Sequence, residues 1–325
     1  VTDGARRFWV SIALIGVAIV WGATFVVVKD AVEAYPLYAF LGWRFVVAIA
    51  AFVALFPKAV VRVSLRTLGA GLLAGLMLTA GYVFQTWGLQ DTSASKAAFI
   101  TGMFVVITPL MQAVLLRRVP RVWTMAGVAF AVTGLWLLSG TSGGGWNVGD
   151  TRTLICATAY SAHMIVLGSI GREHDVSALT LVQLVTVAVF CSGVSLLTEQ
   201  APVPSGGSLI VALLVTGVLG SAAAFLIQTY AQRFLSPTRT ALILISEPAF
   251  GGVFGWLAGE VLGVRGLAGA GMILAGMLVA ELAGMREARA AQLVLEPSIE
   301  GPPVVLVDED VVSAEKEAST APDSG

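Results

Sequence analysis

Two charged side chains, Arg44 and Glu247, and one histidine, His163, fall inside long apolar runs of this 325-residue sequence. A charge near the centre of a bilayer costs at least ~2.5–3.5 kcal/mol on insertion scales, so each needs a partner or a wet cavity. Glu247 shares a stripe of four-residue spacing with Gly251, Gly255 and Gly259. Small residues at that spacing mark helix-packing faces, so the carboxylate is expected to look into a helix bundle. There it either makes a structural contact between helices or exchanges a proton near working pH. Arg44, whose stripe continues through Ala48 and Ala51, has the same two readings, anchor or site. His163 is the only histidine within an apolar run, and it can relay protons near neutral pH or simply bond a neighbouring helix.

Around these three, polar faces suggest a cavity lining: Tyr82 and Gln85, Thr101, Thr108 and Gln112, Tyr160 with His163, and Ser221 with Gln228. Pro109 and Pro248 each remove a backbone donor within an apolar run, so two kinked helices are expected, with the carbonyl of Leu244 freed near Glu247. Other chemistries lack their parts. Cys156 and Cys191 lie in apolar runs with no metal or disulfide spacing, and the glycines of the TSGGGWN stretch from Thr141 lack the spacing of a nucleotide loop. No paired acids or Ser/His set is present for catalysis, so an enzyme, a cofactor, a metal and a nucleic-acid partner are not expected. A passive channel or facilitator stays as an alternative, although no pore loop or ring of like charge repeats. An intramembrane enzyme or sensor is the more distant one.

The elements that must position these residues are legible from composition. Hydrophobic residues make up 57% and charged ones 12%, against roughly 25% charged in soluble domains. Continuous apolar runs near the ~20 residues of a spanning helix recur along the chain, without the ten-residue alternation of barrel strands. The expected spans are 8–28, 35–56, 67–89, 97–116, 123–139, 153–170, 177–198, 208–234, 237–258 and 266–285. The fold class is therefore all-α integral membrane, with ten transmembrane helices. The first run follows Arg6 and Arg7 but shows no small-residue cleavage site before Lys29, and it reads as a retained helix. Residues 286–325 hold four prolines and many acids, and they read as a disordered acidic tail. With the amino terminus inside, fourteen Lys and Arg fall in cytoplasmic segments and only Lys29, Lys96, Arg152 and Arg265 outside. The positive-inside rule then places both termini in the cytoplasm.

The two halves repeat. Gln85, Thr86, Ser93, Lys96 and Ala98 match Gln228, Thr229, Ser236, Arg239 and Ala241 at an offset of 143, and Gly127 and Gly134 match Gly269 and Gly276 at 142. Each unit holds five spans, an odd number, so the second copy enters the membrane in the opposite sense, an inverted repeat of the kind used for alternating access. The units are 1–140 and 153–285, joined by an exterior loop 141–152. Pro109 and Pro248 differ by 139, which suggests about one extra helical turn in the first copy.

The segments WGATFVVVK from Trp21, YAFLGWRF ending at Phe45, SASKAAFITGMFVVITPL from Ser93, SPTRTALILISEPAFGGVFGWLAGE from Ser236 and GAGMILAGMLVA from Gly269 resemble the drug/metabolite transporter superfamily, and within it the EamA-type ten-helix proteins. That resemblance implies a basket of two inverted five-helix halves around a central cavity, often with export of amino acids, metabolites or drugs. It adds Trp21 to the cavity candidates. One departure stands out: many relatives carry a Gly-Glu pair near the end of the fourth helix as well as the ninth, and here that place reads Arg117-Arg118. The expected function is a secondary transporter, an exporter of a small organic solute in the cell membrane. Its partners are the lipid bilayer, the solute and a coupled proton.

Overall fold

The computed structural model describes residues 3–295 except 116, 118–121, 140–144, 172, 201, 236–239, 241 and 242. Among the described residues every regular element is a helix. The first half comprises α1 (Asp3–Ala34), α2 (Leu37–Leu55), the single turn α3 (Lys58–Val61), α4 (Leu65–Leu89), α5 (Ala94–Gly102), α6 (Phe104–Leu115) and α7 (Val122–Ser139). The second comprises α8 (Val148–Ile170), α9 (Val176–Thr198), α10 (Gly207–Leu214), a π-helical segment (Val215–Ala223), α11 (Ala224–Ala231), α12 (Ser246–Leu257) and α13 (Gly263–Leu295). Seven spans are long and apolar enough to cross a membrane, including Ala94–Leu115 from α5 and α6 and Gly207–Ala231 from α10 to α11. Two shorter apolar helices, Met125–Leu138 and Gly263–Val279, and the ninth segment around α12 complete the ten.

Local sequence explains several boundaries. Asn147 accepts from the Asp150 amide at 2.9 Å while the Asp150 carboxylate accepts from the Asn147 amide at 2.9 Å. This capping box starts α8 at Val148, five residues before the boundary read from hydropathy. Asp175 caps α9 through the Ala178 amide at 3.0 Å. Partial burial works to raise the Asp175 pKa, but bonds from Ser177 and Ala178 and the Arg62 guanidinium outweigh it and hold the carboxyl below its usual value. Residues 1–285 and 286–325 are separate units. Of the second, only the helical backbone of 286–295 is described, and it replaces the first ten residues of the expected disordered tail. Arg286, Ala288, Arg289 and Ala290 are strong helix formers, whereas Pro297 disfavours a helical conformation in the residue before it. The rest of the expected tail, 296–325, lies outside the described residues.

The fourth and ninth spans are each interrupted. The breaks fall at Met103 and Ile245, 142 residues apart, the offset of the repeated glycines. Pro248 lies three residues past the break at Ile245, and its missing N–H leaves the carbonyl of Leu244 without an α-helical donor at that point. Pro109 lies inside α6, past the break. The 139-residue offset of the prolines thus reflects their different places after equivalent breaks, not an inserted turn.

Packing obeys an exchange of halves. Helix α2 packs on α9, each the second span of its half, and α5 packs on α12, each from a fourth span. The α1–α12 contact is answered by α5 and α6 on α8, α4–α9 by α2 on α10 and the π segment, and α4–α8 by α1 on α10, the π segment and α11. The repeated glycines meet crosswise: a Cβ on Gly134 would lie 2.6 Å from the Gly269 carbonyl oxygen, and one on Gly276 would lie 2.6 Å from that of Gly127. Backbone thus touches backbone where α7 crosses α13.

The two interrupted spans differ at their ends. Glu260, just past α12, accepts from the amides of Ala94 (2.7 Å) and Ser95 (2.8 Å) and so caps α5. Gly259 before it has a φ of 93°, a left-handed turn that glycine adopts freely. At the same offset of 142, Arg117 takes Gly259's place with a φ of 50°. The Gly-Glu pair is thus a turn plus a cap, and the first half keeps the turn with a residue poorly suited to it. Replacing Gly134 or Gly269 by Val should lower the yield of folded protein by a cost above ~2 kcal/mol, since backbone cannot yield as a side chain can. Fluorescence-detected size exclusion after heating checks this, with the open-faced Gly271→Val as the control expected to behave as wild type.

Candidate substrate cavity

Between the halves lies a narrow cavity of about 50 Å³. Of the residues singled out from sequence, Trp21, Arg44, Tyr82, Gln85, Tyr160, His163, Gln228 and Glu247 line it. Gln85 and Gln228, equivalent in the repeat, reach it from α4 and α11. Thr24, Phe25, Thr101, Phe104, Met164, Phe225 and Leu244 complete the wall. Thr101 stood out on its polar face, but the apolar members carry no mark in sequence, because a ring or leucine on a cavity reads like any core residue.

Arg44, only 2% exposed, is solvated by protein. Its Nε donates to Ser221 Oγ at 3.0 Å, Nη2 donates to the Tyr82 hydroxyl at 3.2 Å, and Cζ lies 4.6 Å from the centre of the Tyr82 ring. The π segment makes this possible. Ser221 Oγ donates to the carbonyl of Thr216, five residues back, at 3.0 Å, and the carbonyl of Gly220 accepts Trp21 Nε1 at 2.8 Å. A π turn inside a helix re-aims the side chains it carries and leaves carbonyls available. Tyr82 also contacts the rings of Phe45, Tyr160 and Phe225 edge to face, at centroid distances of 4.9, 5.9 and 6.0 Å.

Glu247 faces the cavity from the first turn of α12, at the end of that helix whose dipole favours an anion. Its glycine stripe points where the sequence placed it: a Cβ on Gly251 would meet that of Ala98 at 2.3 Å. Among the described residues no ion pair joins Arg44 to Glu247. Two opposite charges, one from each half, therefore share one aromatic-walled space.

His163 is tied down. Its Nε2 lies 2.7 Å from Gln183 Oε1, and Gln183 Nε2 donates to the carbonyl of Leu179 at 3.2 Å, which fixes the amide so that the imidazole is the donor. The histidine thus has a structural bond and also one edge on the cavity. Tyr160 donates to Gln85 Oε1 at 3.3 Å, while Gln228 Oε1 is buried without a partner among the described residues. Thr108 and Gln112 do not line the cavity. Their seven- and eleven-residue spacing from Thr101 assumed one continuous helix, and the break at Met103 turns that stripe away; Thr108 Oγ1 instead donates to the Phe104 carbonyl at 2.7 Å.

The chain matches the EamA-like transporter family over residues 8–140 and again over 148–281. The chain belongs to that family. Its two matched segments coincide with the two halves of the fold. An uncharacterized transporter of Archaeoglobus fulgidus is 28% identical over 281 residues, covering 86% of this chain and 88% of that protein. A protein of known crystal structure superposes with a TM-score of 0.65 at 18% identity, covering 85% of this chain and 98% of its own, and this likeness speaks for the fold. This EamA-like protein is thus a membrane transporter of the drug/metabolite transporter superfamily, all-helical, with ten spans in two inverted repeats.

Removing one partner of the buried guanidinium should be costly. Ser221→Ala is expected to destabilise the protein by about 1.5–3 kcal/mol, the range for a hydrogen bond to a charged group. Tyr160→Phe removes only a longer, neutral bond and should cost less than about 1.5 kcal/mol. Unfolding midpoints in detergent measure both.

Proposed function

We propose that the protein is a secondary transporter that exports a small organic solute by alternating access, with proton exchange at Glu247. The observation that carries this reading is the cavity between inverted halves, lined by Arg44 from the first and Glu247 from the second. A solute bearing both an acid and an amine matches that pair, with Tyr82, Tyr160, Trp21 and Phe225 offering apolar wall. Export, as opposed to import, rests on the resemblance of the sequence. Comparing metabolites of medium and cells with the protein overproduced or deleted tests direction and substrate together.

Proton exchange follows from the setting of Glu247. A carboxyl that meets solute and solvent only through the cavity can carry a proton in one direction and release it in the other. In vesicles containing the pure protein, Glu247→Gln should insert normally, keep solute exchange across the membrane and lose the pH dependence of net flux. If Glu247 only holds helices together, the glutamine variant keeps its pH profile and Glu247→Ala loses folded yield instead.

The same reading places both termini in the cytoplasm of a cell membrane. Three of the four cations assigned outside are paired with acids, Lys29 with Glu33 (3.4 Å), Lys96 with Asp150 (2.6 Å) and Arg152 with Asp91, which leaves that end with little uncompensated positive charge. In a cysteine-free background, a cysteine at Ser142 should react with an impermeant reagent in intact cells and one at Ser319 should not. The opposite pattern reverses the orientation.

A further inference from the structure

On the outer face of the crossing between α4 and α9 runs an open apolar groove of about 530 Å³. Its walls are two stripes that climb one turn at a time, Leu68, Leu72 and Leu76 on α4 and Leu181, Val185 and Val189 on α9. Its floor is the line where the helices touch. A Cβ on Gly71 would lie 2.6 Å from Val182, and one on Gly75 would lie 2.6 Å from Thr186. From Leu68 to Leu76 the groove rises about 12 Å, close to the roughly 15 Å of hydrocarbon in one leaflet.

One end of the groove is bounded by α3 and the turn after it, through Val60 and Val63. Val60 and Val61 on this single turn, and Leu55 and Phe56 just before it, are exposed apolar residues, which suits a turn lying at the boundary between hydrocarbon and headgroups. Lys58, Arg62 and Arg66 are exposed at the same end. Arg62 reaches Asp175, the cap of α9, at 3.2 Å and so bridges the mouth. Lys58, Arg62 and Arg66 against Asp175 and Glu173 leave a net positive mouth over an apolar slot one leaflet deep.

We propose that this groove binds an anionic phospholipid, one acyl chain lying between α4 and α9 and the phosphate meeting Lys58 and Arg66. A zwitterionic lipid offers the same chains without net charge for the mouth. A second copy of the protein would need a face that runs the full span and brings acids to this end, whereas the groove covers one leaflet only.

The full-length protein is placed in nanodiscs of phosphatidylglycerol or phosphatidylcholine with identical chains. Phosphatidylglycerol should raise the unfolding midpoint by at least about 3 °C, the stabilisation that binding to the native state alone confers. The double substitution Lys58→Gln/Arg66→Gln should erase the difference, and Leu72→Trp, which fills the slot, should lower lipid retention several-fold in native mass spectra. Equal midpoints for the unaltered protein in the two lipids overturn the proposal, and this comparison needs no variant to fold. An equal shift from inorganic phosphate in phosphatidylcholine discs marks a free-anion site and overturns it. A dimer that Leu72→Trp converts to monomer assigns the groove to a second copy and overturns it too.

Discussion

A guanidinium that is 2% exposed within an apolar bundle cannot be left to water, and much of the architecture around the cavity answers that constraint. Ser221 reaches Arg44 because the eighth span runs as a π helix from Val215 to Ala223. Gly217 lets that segment lie against α2, since a Cβ there would sit 2.7 Å from the Arg44 carbonyl oxygen. The carbonyl of Gly220 draws in Trp21 from α1. Tyr82 then presents both its hydroxyl and its ring face to the same cation, and its ring is held edge-on by Phe45, Tyr160 and Phe225. One charge thereby orders side chains from five spans.

The frame is symmetric and its contents are not. Gln85 and Gln228 face the cavity from equivalent places, and the hydroxyls of Thr86 and Thr229 beside them are both buried without partners among the described residues. Yet at the 142-residue offset of the two breaks Glu247 stands opposite Val105, and at the 143-residue offset of the glutamines Ser221 stands opposite Leu78. The second half therefore supplies a carboxyl and a hydroxyl where the first supplies aliphatic chains, while the first supplies Arg44. Two like charges would repel across the space; one cation and one carboxylate let the halves hold a dipolar occupant between them.

Much of this was legible in sequence because polar atoms in an apolar run are expensive and therefore conspicuous. That cost marked Arg44, Glu247, His163 and the glutamines, and the even offset of the glycines exposed the repeat. Backbone events left weaker marks. The break at Met103 falls six residues before Pro109, out of that proline's reach and announced by no residue type, and the stripe through Thr108 and Gln112 failed with it. The π segment carries two glycines but no distinctive spacing. Lys96 reads as an exterior cation, whereas it is buried against Asp150, because a carboxylate fifty-four residues away cannot be paired with it from spacing alone. The Gly259-Glu260 pair was visible as a motif, and only the fold shows that its glutamate caps a helix from the other half.

That cap and the Lys96–Asp150 pair lie at the same end of the bundle, and they make its two ends unequal. Asp150 accepts from Lys96 Nζ at 2.6 Å, from Thr92 at 2.8 Å and from the Asn147 amide at 2.9 Å, with both charged side chains essentially shielded from solvent. Stripping one partner from such a pair costs about 3–5 kcal/mol. Glu260 adds two amide bonds between α12 and α5. Any motion that parts α5 from α8 and α12 at this end must rehydrate these groups as it separates them, so its cost depends on how quickly water follows the opening. At the other end the turn equivalent to Gly259 is occupied by Arg117, and Arg118 stands where the repeat calls for the capping glutamate. A frame built from two inverted copies would open equally at both ends if the copies were identical; here the sequence at the two corresponding turns separates the ends by charge, and so by free energy.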